Sequence, residues 1–339
     1  MKRRSLFALT ASLVCTASLA NAADPLTLEL PGGEGPGKGK HIVLLAGDEE
    51  YRSEEALPLL AGILSKHHGF KCTVLFSVGK DGTVDPNASR SLTGSAALDT
   101  ADAMILSLRF RQWPDEDMKH FVDAYLRGIP IVGLRTATHA FSYDGKSTSR
   151  YKKFHWSNAE GGFGRMVLGE TWVDHWGKHM VEATRGIVEP GAEGNPVLRG
   201  VKDVFGDTDV YEAHPPKDVT ILMRGQVLKG ITPDTPPADY KRKNQGVNDP
   251  MQPIAWLREH KNEAGTVNRC LTTTMGSSTD LMSEGLRRLI VNGIYWGLKM
   301  DVPANADVTP TGEYKPSPYK GNGAKKGIKP ADTALKPAK

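Results

Sequence analysis

The stretch that most constrains the fold is Pro130–Phe141, Pro-Ile-Val-Gly-Leu-Arg-Thr-Ala-Thr-His-Ala-Phe. Its apolar run, Ile129–Val132, ends at Gly133 and passes into small and polar residues. This is the pattern of a buried parallel strand that turns sharply into a helix at the carboxyl edge of a sheet. In open α/β sheets, ligands sit outside the carboxyl ends of strands, near the point where strand order reverses. The elbow therefore sets Arg135 and His139 near whatever chemistry the chain performs.

The residues before the elbow repeat one unit. His41–Ala46 reads as a buried strand, followed by the acidic loop Asp48-Glu49-Glu50. Ser53 is suited to cap a helix whose apolar face is Ala56, Leu59, Leu60, Ile63 and Leu64, ending near Gly69. Lys71–Ser77 and Ala103–Leu108 are the next strands. Pro114 opens a helix that runs to about Arg127, and Gly128 ends it. Strands alternating with helices in this way predict a doubly wound, mainly parallel sheet with helices on both faces. From Phe141 to His179 aliphatics give way to aromatics, which suggests a covering layer over the elbow. Val181–Val188, Val219–Met223, Pro253–Trp256 and Arg269–Thr274 read as later strands, and Ser283–Leu298 as the closing helix.

The two ends differ from this body. Met-Lys-Arg-Arg, an apolar run from Leu6 to Leu19 and Ala20-Asn21-Ala22 form the pattern of a signal peptide over residues 1–22. A periplasmic or secreted protein is the expectation, with no membrane insertion, since the apolar run is too short to span. Residues 23–40, rich in Gly and Pro, read as a leader across the surface. Gly35-Pro36-Gly37-Lys38-Gly39 precedes a strand instead of following one, which argues against a dinucleotide fingerprint. Residues 301–339 carry repeated Pro, Lys, Gly and Ala and predict a disordered tail. Of the net charge of +4, the three basic residues at the start contribute +3. The tail contributes +3 more, leaving the body of residues 23–300 at −2. No basic patch for nucleic acid is expected from such a body. Cys72 and Cys270 both lie in apolar, strand-like surroundings and read as buried thiols, not as a disulfide framework.

Seven pieces of the body, in order, resemble the ThuA-like (trehalose utilisation) family of the class I glutamine amidotransferase-like superfamily. They are His41–Tyr51, Pro130–Phe141, Gly161–His179 with its Trp-x-x-His-Trp, Asn195–Gly200, Asp209–Glu212, Pro253–Trp256 with Arg269–Gly276, and Leu286–Trp296. The resemblance covers residues 41–300 and implies a flavodoxin-like sheet and a role in trehalose-related or keto-sugar metabolism. Glutamine amidotransferases carry a nucleophilic Cys at the elbow, in Gly-x-Cys-x-Gly. Here Gly133-Leu134-Arg135-Thr136-Ala137 puts Arg135 in its place. A guanidinium is not a nucleophile, so glutaminase chemistry is excluded.

The candidate catalytic residues are His139, Arg135, Asp48, Glu49 and Glu212. His139 would serve as a general base, or else as a core histidine. Arg135 would polarise a carbonyl or hydroxyl through its fork of donors, or pair with Asp48 or Glu49 across the strand ends. Asp48, Glu49 and Glu212 are carboxylates whose protonation the surroundings could tune, or else loop and dipole partners. Trp172, His175, Trp176, His179 and Trp113 are candidates for binding a small carbohydrate ligand. His175 and His179, at i and i+4, could share one helical face as zinc ligands, with His139, His155 or Glu212 as the third. Trp176-Gly177 and the absence of H-E-x-x-H argue against that, and the reading kept is no cofactor. Three functions fit: an isomerase- or lyase-type enzyme on a sugar, a non-catalytic sugar-binding or scaffold protein on the same fold, or a zinc hydrolase. The sequence leaves the oligomeric state open.

Overall fold

The computed structural model describes residues 25–158, 162–321 and 323–336. In chain order its strands are β1 Thr27–Leu30, β2 His41–Gly47, β3 Lys71–Phe76, β4 Ala103–Leu108, β5 Ile131–Leu134, β6 Asp174–His175, β7 Thr184–Val188, β8 Phe205–Gly206, β9 Tyr211–Glu212, β10 Val219–Val227, β11 Lys241–Arg242, β12 Gln245–Gly246, β13 Gln252–Lys261 and β14 Val267–Thr273. The α-helices are α1 Ser53–His68, α2 Asp115–Leu126 and α3 Glu284–Gly297. The residues read as a signal peptide lie outside the described residues.

Ten strands form one sheet, ordered β1-β3-β2-β4-β5-β14-β13-β10-β7-β8. Its centre, β3-β2-β4-β5-β14, is parallel and has the flavodoxin-like order, with the chain's reversal point between β2 and β4. Antiparallel strands extend it at both edges. β1 comes from the segment read as a leader, so part of that segment is sheet edge. Alternation along the strands feeds two cores. Ile42, Leu44, Val74 and Ile105 face α1 and α3, while Val43, Leu45, Leu75 and Met104 face α2. Cys72 and Cys270 are buried and unpaired. Among the described residues no helix is long and apolar enough to cross a membrane.

The elbow differs from expectation in one respect. β5 is followed by a single 3-10 turn, Arg135–His139, and not by a helix. The backbone there is used sideways: Arg111 N donates to the Ala140 carbonyl (2.6 Å) and Ser142 N to the Arg111 carbonyl (2.8 Å). Groups engaged with the end of β4 are not available for the i to i−4 ladder of a helix.

The tail also departs from expectation. Its composition cannot bury a core of its own, but it docks piece by piece on the body. Arg287 Nε donates to the Val308 carbonyl (2.9 Å) and Arg288 Nε to the Ala306 carbonyl (3.1 Å). The Tyr314 hydroxyl donates to the Ser278 carbonyl (2.7 Å), and Ser317 donates from N and Oγ to Glu55 (2.6 and 2.8 Å). The tail covers the outer side of α1: a Cβ on Gly62 would meet Thr311 Oγ1 at 2.6 Å. Leu57 and Ala61, off the expected apolar face, are buried too. A chain ending at Met300 loses these contacts, several of them to charged groups worth about 1.5–3 kcal/mol each. Its thermal midpoint in calorimetry is therefore expected to fall by well over 5 °C, roughly the shift that a few kcal/mol gives in a chain of this size.

Under the tail, both carboxylate oxygens of Glu54 are buried without a hydrogen-bond donor. Arg52 Nη1 lies 3.8 Å away. Burial pushes the Glu54 carboxyl up to about 7, against the pull of Arg52. The folded state thus holds this proton more tightly than the unfolded chain. Stability from this group is fully present below the unfolded carboxyl range and declines as pH rises toward 7. Glu54→Gln should accordingly stabilise the protein at pH 8, by about 3 kcal/mol at most, and change little at pH 4. Urea denaturation at the two pH values measures the difference.

Candidate functional site

Four strand ends and the covering segment build the site. After β2, the chain turns on Asp48, whose Oδ1 accepts from the backbone N of Glu50 (2.7 Å) and Tyr51 (3.1 Å). Its Oδ2 accepts from Thr136 Oγ1 (2.6 Å), tying the loop to the elbow. Asp48 is fully buried, so it is a turn organiser and not a group that meets substrate. Glu49 is held by Arg109 and by Arg111 Nη2 (2.9 Å), both from the end of β4. Arg109 Nε also reaches Glu50 (3.2 Å). Burial raises the Glu50 carboxyl against the pull of Arg109. These carboxylates are occupied by arginines, and none of those arginines is Arg135.

Arg135 is fully buried and makes no contact with open space. Its φ of 39° places it in the left-handed region, and its N donates to the Met275 carbonyl (3.1 Å) at the end of β14. Nη2 donates to Asp209 Oδ1 (2.9 Å) and to the Tyr51 hydroxyl (3.0 Å). Nη1 donates to the carbonyls of Asp209 (3.2 Å) and Thr274 (3.0 Å). The guanidinium lies between the rings of Tyr51 and Tyr211, 4.2 Å from each centroid. Its partner is Asp209, not Asp48 or Glu49, and its role is to position other groups.

Asp209 carries the next layer. Oδ2 accepts from His175 Nδ1 (2.7 Å) and Oδ1 from His179 Nδ1 (3.0 Å). Burial opposes ionisation of this carboxyl, but the hydrogen bonds from the two imidazoles and the charge of Arg135 hold it well below the usual range. With Nδ1–H committed to Asp209, each neutral imidazole keeps its lone pair on Nε2. The two rings are 4.3 Å apart, centroid to centroid. They meet through a turn, not on a helix, because Trp176 N and Gly177 N both donate to the Val210 carbonyl (2.7 and 3.0 Å). His175, His179 and Asp209 are the described residues that offer clustered metal-ligand atoms, within 4.8 Å of one another. Since Asp209 is already engaged three times, it suits the outer carboxylate of a histidine–metal site, leaving the two Nε2 atoms as ligands.

His139 lies beside this pair in an aromatic recess. Its ring centroid is 5.1 Å from Phe110, 6.0 Å from Trp172 and 6.5 Å from Trp156. Trp172 in turn lies 5.7 Å from His175. The Thr138 hydroxyl donates to the Arg135 carbonyl (3.4 Å), so it accepts from Nδ1–H of His139 (3.2 Å) and leaves the lone pair on Nε2. Burial, then the charges of Arg109 and Arg135, depress the His139 pKa well below its ordinary value. The imidazole is therefore neutral at neutral pH.

Three expected residues stand elsewhere. Trp113 is buried against Phe121 and Phe141, with no face open to a sugar. Trp176 is buried and donates to the Val247 carbonyl (2.7 Å). Glu212 is bound by Lys243 and by His214 Nε2 (2.9 Å), away from the imidazole pair. The hydrogen bonds from Lys243 and His214 outweigh burial and lower its carboxyl. Strand alternation explains the miss: Asp209 and Tyr211 share a face toward Arg135, and Glu212 takes the other. Asp209, Tyr51, Tyr211 and Phe110 belong to the site and were not expected there. The alternation within Asp209-Val210-Tyr211-Glu212 was the one available signal.

Replacing Arg135 by Met leaves Asp209 buried without its main counter-charge. The expected cost is about 3–5 kcal/mol, read from urea denaturation. A cost below about 1 kcal/mol would show that Asp209 does not depend on this pair.

No family model and no curated protein matches the chain. Solved structures do match. A protein described as ThuA-like from Parabacteroides merdae ATCC 43184 superimposes with a TM-score of 0.50 and 15% identity, over 77% of this chain and 90% of that one. A second so described, from Bacteroides uniformis ATCC 8492, gives a TM-score of 0.46 and 15% identity over 79% and 94%. At these identities the likeness is one of fold. The chain has the flavodoxin-like α/β fold found in the Parabacteroides ThuA-like protein.

Proposed function

We propose that this chain is an exported ThuA-like protein of carbohydrate metabolism, acting on a trehalose-related or keto sugar by proton transfer. The observation that carries the reading is His139. A neutral imidazole, with an Nε2 that has no hydrogen-bond partner among the described residues, lies in a recess lined by Trp156, Trp172 and Phe110. Indole faces suit the apolar face of a pyranose ring, and a buried neutral histidine is a base held ready. The seven family-like segments supply the sugar class by analogy, and the basic start followed by an apolar run supports export.

His139 Nε2 would take the proton from a carbon next to the sugar carbonyl. The electron pair of that C–H bond moves into the carbonyl, giving an enolate. Return of the proton to the former carbonyl carbon, with the hydroxyl proton of the first carbon passing to the enolate oxygen as the new carbonyl forms there, completes an isomerisation. Alternatively, the enolate re-forms the carbonyl, a double bond forms to the β carbon, and the group on that carbon departs with its bonding pair and takes up the proton, which completes an elimination. Arg135 is too deep to polarise the carbonyl. His175 and His179, fixed at Nδ1 by Asp209, would accept sugar hydroxyls at Nε2 and hold the ring against His139.

Proton NMR of the full chain with trehalose, simple glucosides and their 3-keto forms tests this. One keto sugar should turn over, and His139→Gln should cut the rate by at least about 100-fold while leaving the thermal midpoint in place. Trp172→Ala should weaken sugar affinity by about tenfold. Saturable binding without turnover would make the protein a sugar-binding module, and no response to any sugar would remove the carbohydrate assignment.

A further inference from the structure

Beyond the Trp172 recess there is a second cavity, on the other side of the imidazole pair. Its volume is about 120 Å³, and Tyr51, His179, Met180, Asp207, Ile231 and Tyr319 line it. Tyr319 comes from the tail. Its ring lies 4.6 Å from His179, edge to face, and 5.0 Å from Tyr51. The backbone is fixed on both sides of it. Lys320 N donates to the Glu50 carbonyl (3.2 Å), Arg52 donates to the Lys320 carbonyl, and Ser278 Oγ donates to the Ser317 carbonyl (2.7 Å).

The polarity of this cavity is graded. Its floor holds His179 and Asp207, whose carboxyl is raised by burial and accepts from Thr279 Oγ1 (2.6 Å). Its rim holds Met180, 63% exposed, and Ile231, 51% exposed, two of the most exposed large apolar side chains among the described residues. A ligand that fits is polar at the imidazoles and apolar toward the rim. We infer that this cavity is a second subsite, taking the apolar aglycone of a glycoside whose sugar ring occupies the Trp172 recess, with Tyr319 of the tail as its wall. The inference rests on the carbohydrate reading above and narrows its substrate class from free sugars to glycosides with an apolar aglycone.

Calorimetric titration of the full chain with methyl and phenyl β-glucosides, and with their 3-keto forms, tests the subsite. The phenyl glycoside should bind about tenfold more tightly than the methyl one. Tyr319→Ala should abolish that preference while methyl glycoside affinity stays within about twofold, and Tyr319→Phe should keep it. Ile231→Asp, at an exposed lining position outside the tail, should abolish it too. If the methyl glycoside binds and the phenyl one binds no better, or if the preference survives both Tyr319→Ala and Ile231→Asp, the subsite is overturned and the carbohydrate reading stands. If neither glycoside binds, the carbohydrate reading fails and the subsite falls with it.

Discussion

The buried pair of Arg135 and Asp209 is the interaction on which the site depends. Desolvating two charges is costly, and attraction offsets that cost only where the remaining donors and acceptors are also satisfied. Here Nη1 and Nη2 of the guanidinium donate to Asp209, to the Tyr51 hydroxyl and to two carbonyls, with an aromatic ring on each face, and Nε alone is buried without a partner. The carboxylate in turn accepts from two imidazoles. One pair therefore joins the elbow after β5, the end of β14, the loop after β2 and the segment before β9. It also fixes the tautomer of His175 and His179. The geometry of the outer, solvent-reaching groups is set by a charge pair that never meets solvent.

What the sequence makes legible follows from how locally each signal is encoded. The parallel strands stand out because each is a continuous apolar run buried on both faces, as at Val43–Ala46 and Ala103–Leu106. The elbow was legible as a place but not as a chemistry. Arg135 and His139 do come to the strand ends, yet nothing in the run tells which of them is open to a ligand. That depends on Asp209 and Tyr211, more than seventy residues away. Trp113 and Trp176 read as sugar platforms because an indole has the same sequence signature whether its face is open or packed. His175 and His179 have helical spacing, but the backbone of Trp176 and Gly177 is committed to Val210. The tail was misread for a related reason. Low apolar content shows that a segment cannot form its own core. It does not show whether the body offers carbonyl-binding arginines such as Arg287 and Arg288 to receive it.

The elbow itself explains why the partly exposed polar groups sit one layer out from the strand ends. The turn is sharp, with Arg135 in the left-handed region at the strand end. An arginine there cannot attack a carbonyl, and its side chain is not presented outward. It is folded into the sheet end and neutralised by Asp209. The partly exposed groups that the pair supports are two imidazoles fixed at Nδ1, and the buried His139, held by Thr138, lies beside them. Such a set can move protons and accept hydroxyl donors, but offers no strong nucleophile. A buried cation at the elbow thus makes the strand ends a support for the imidazoles in front of them, and the aromatic covering segment packs beside those imidazoles.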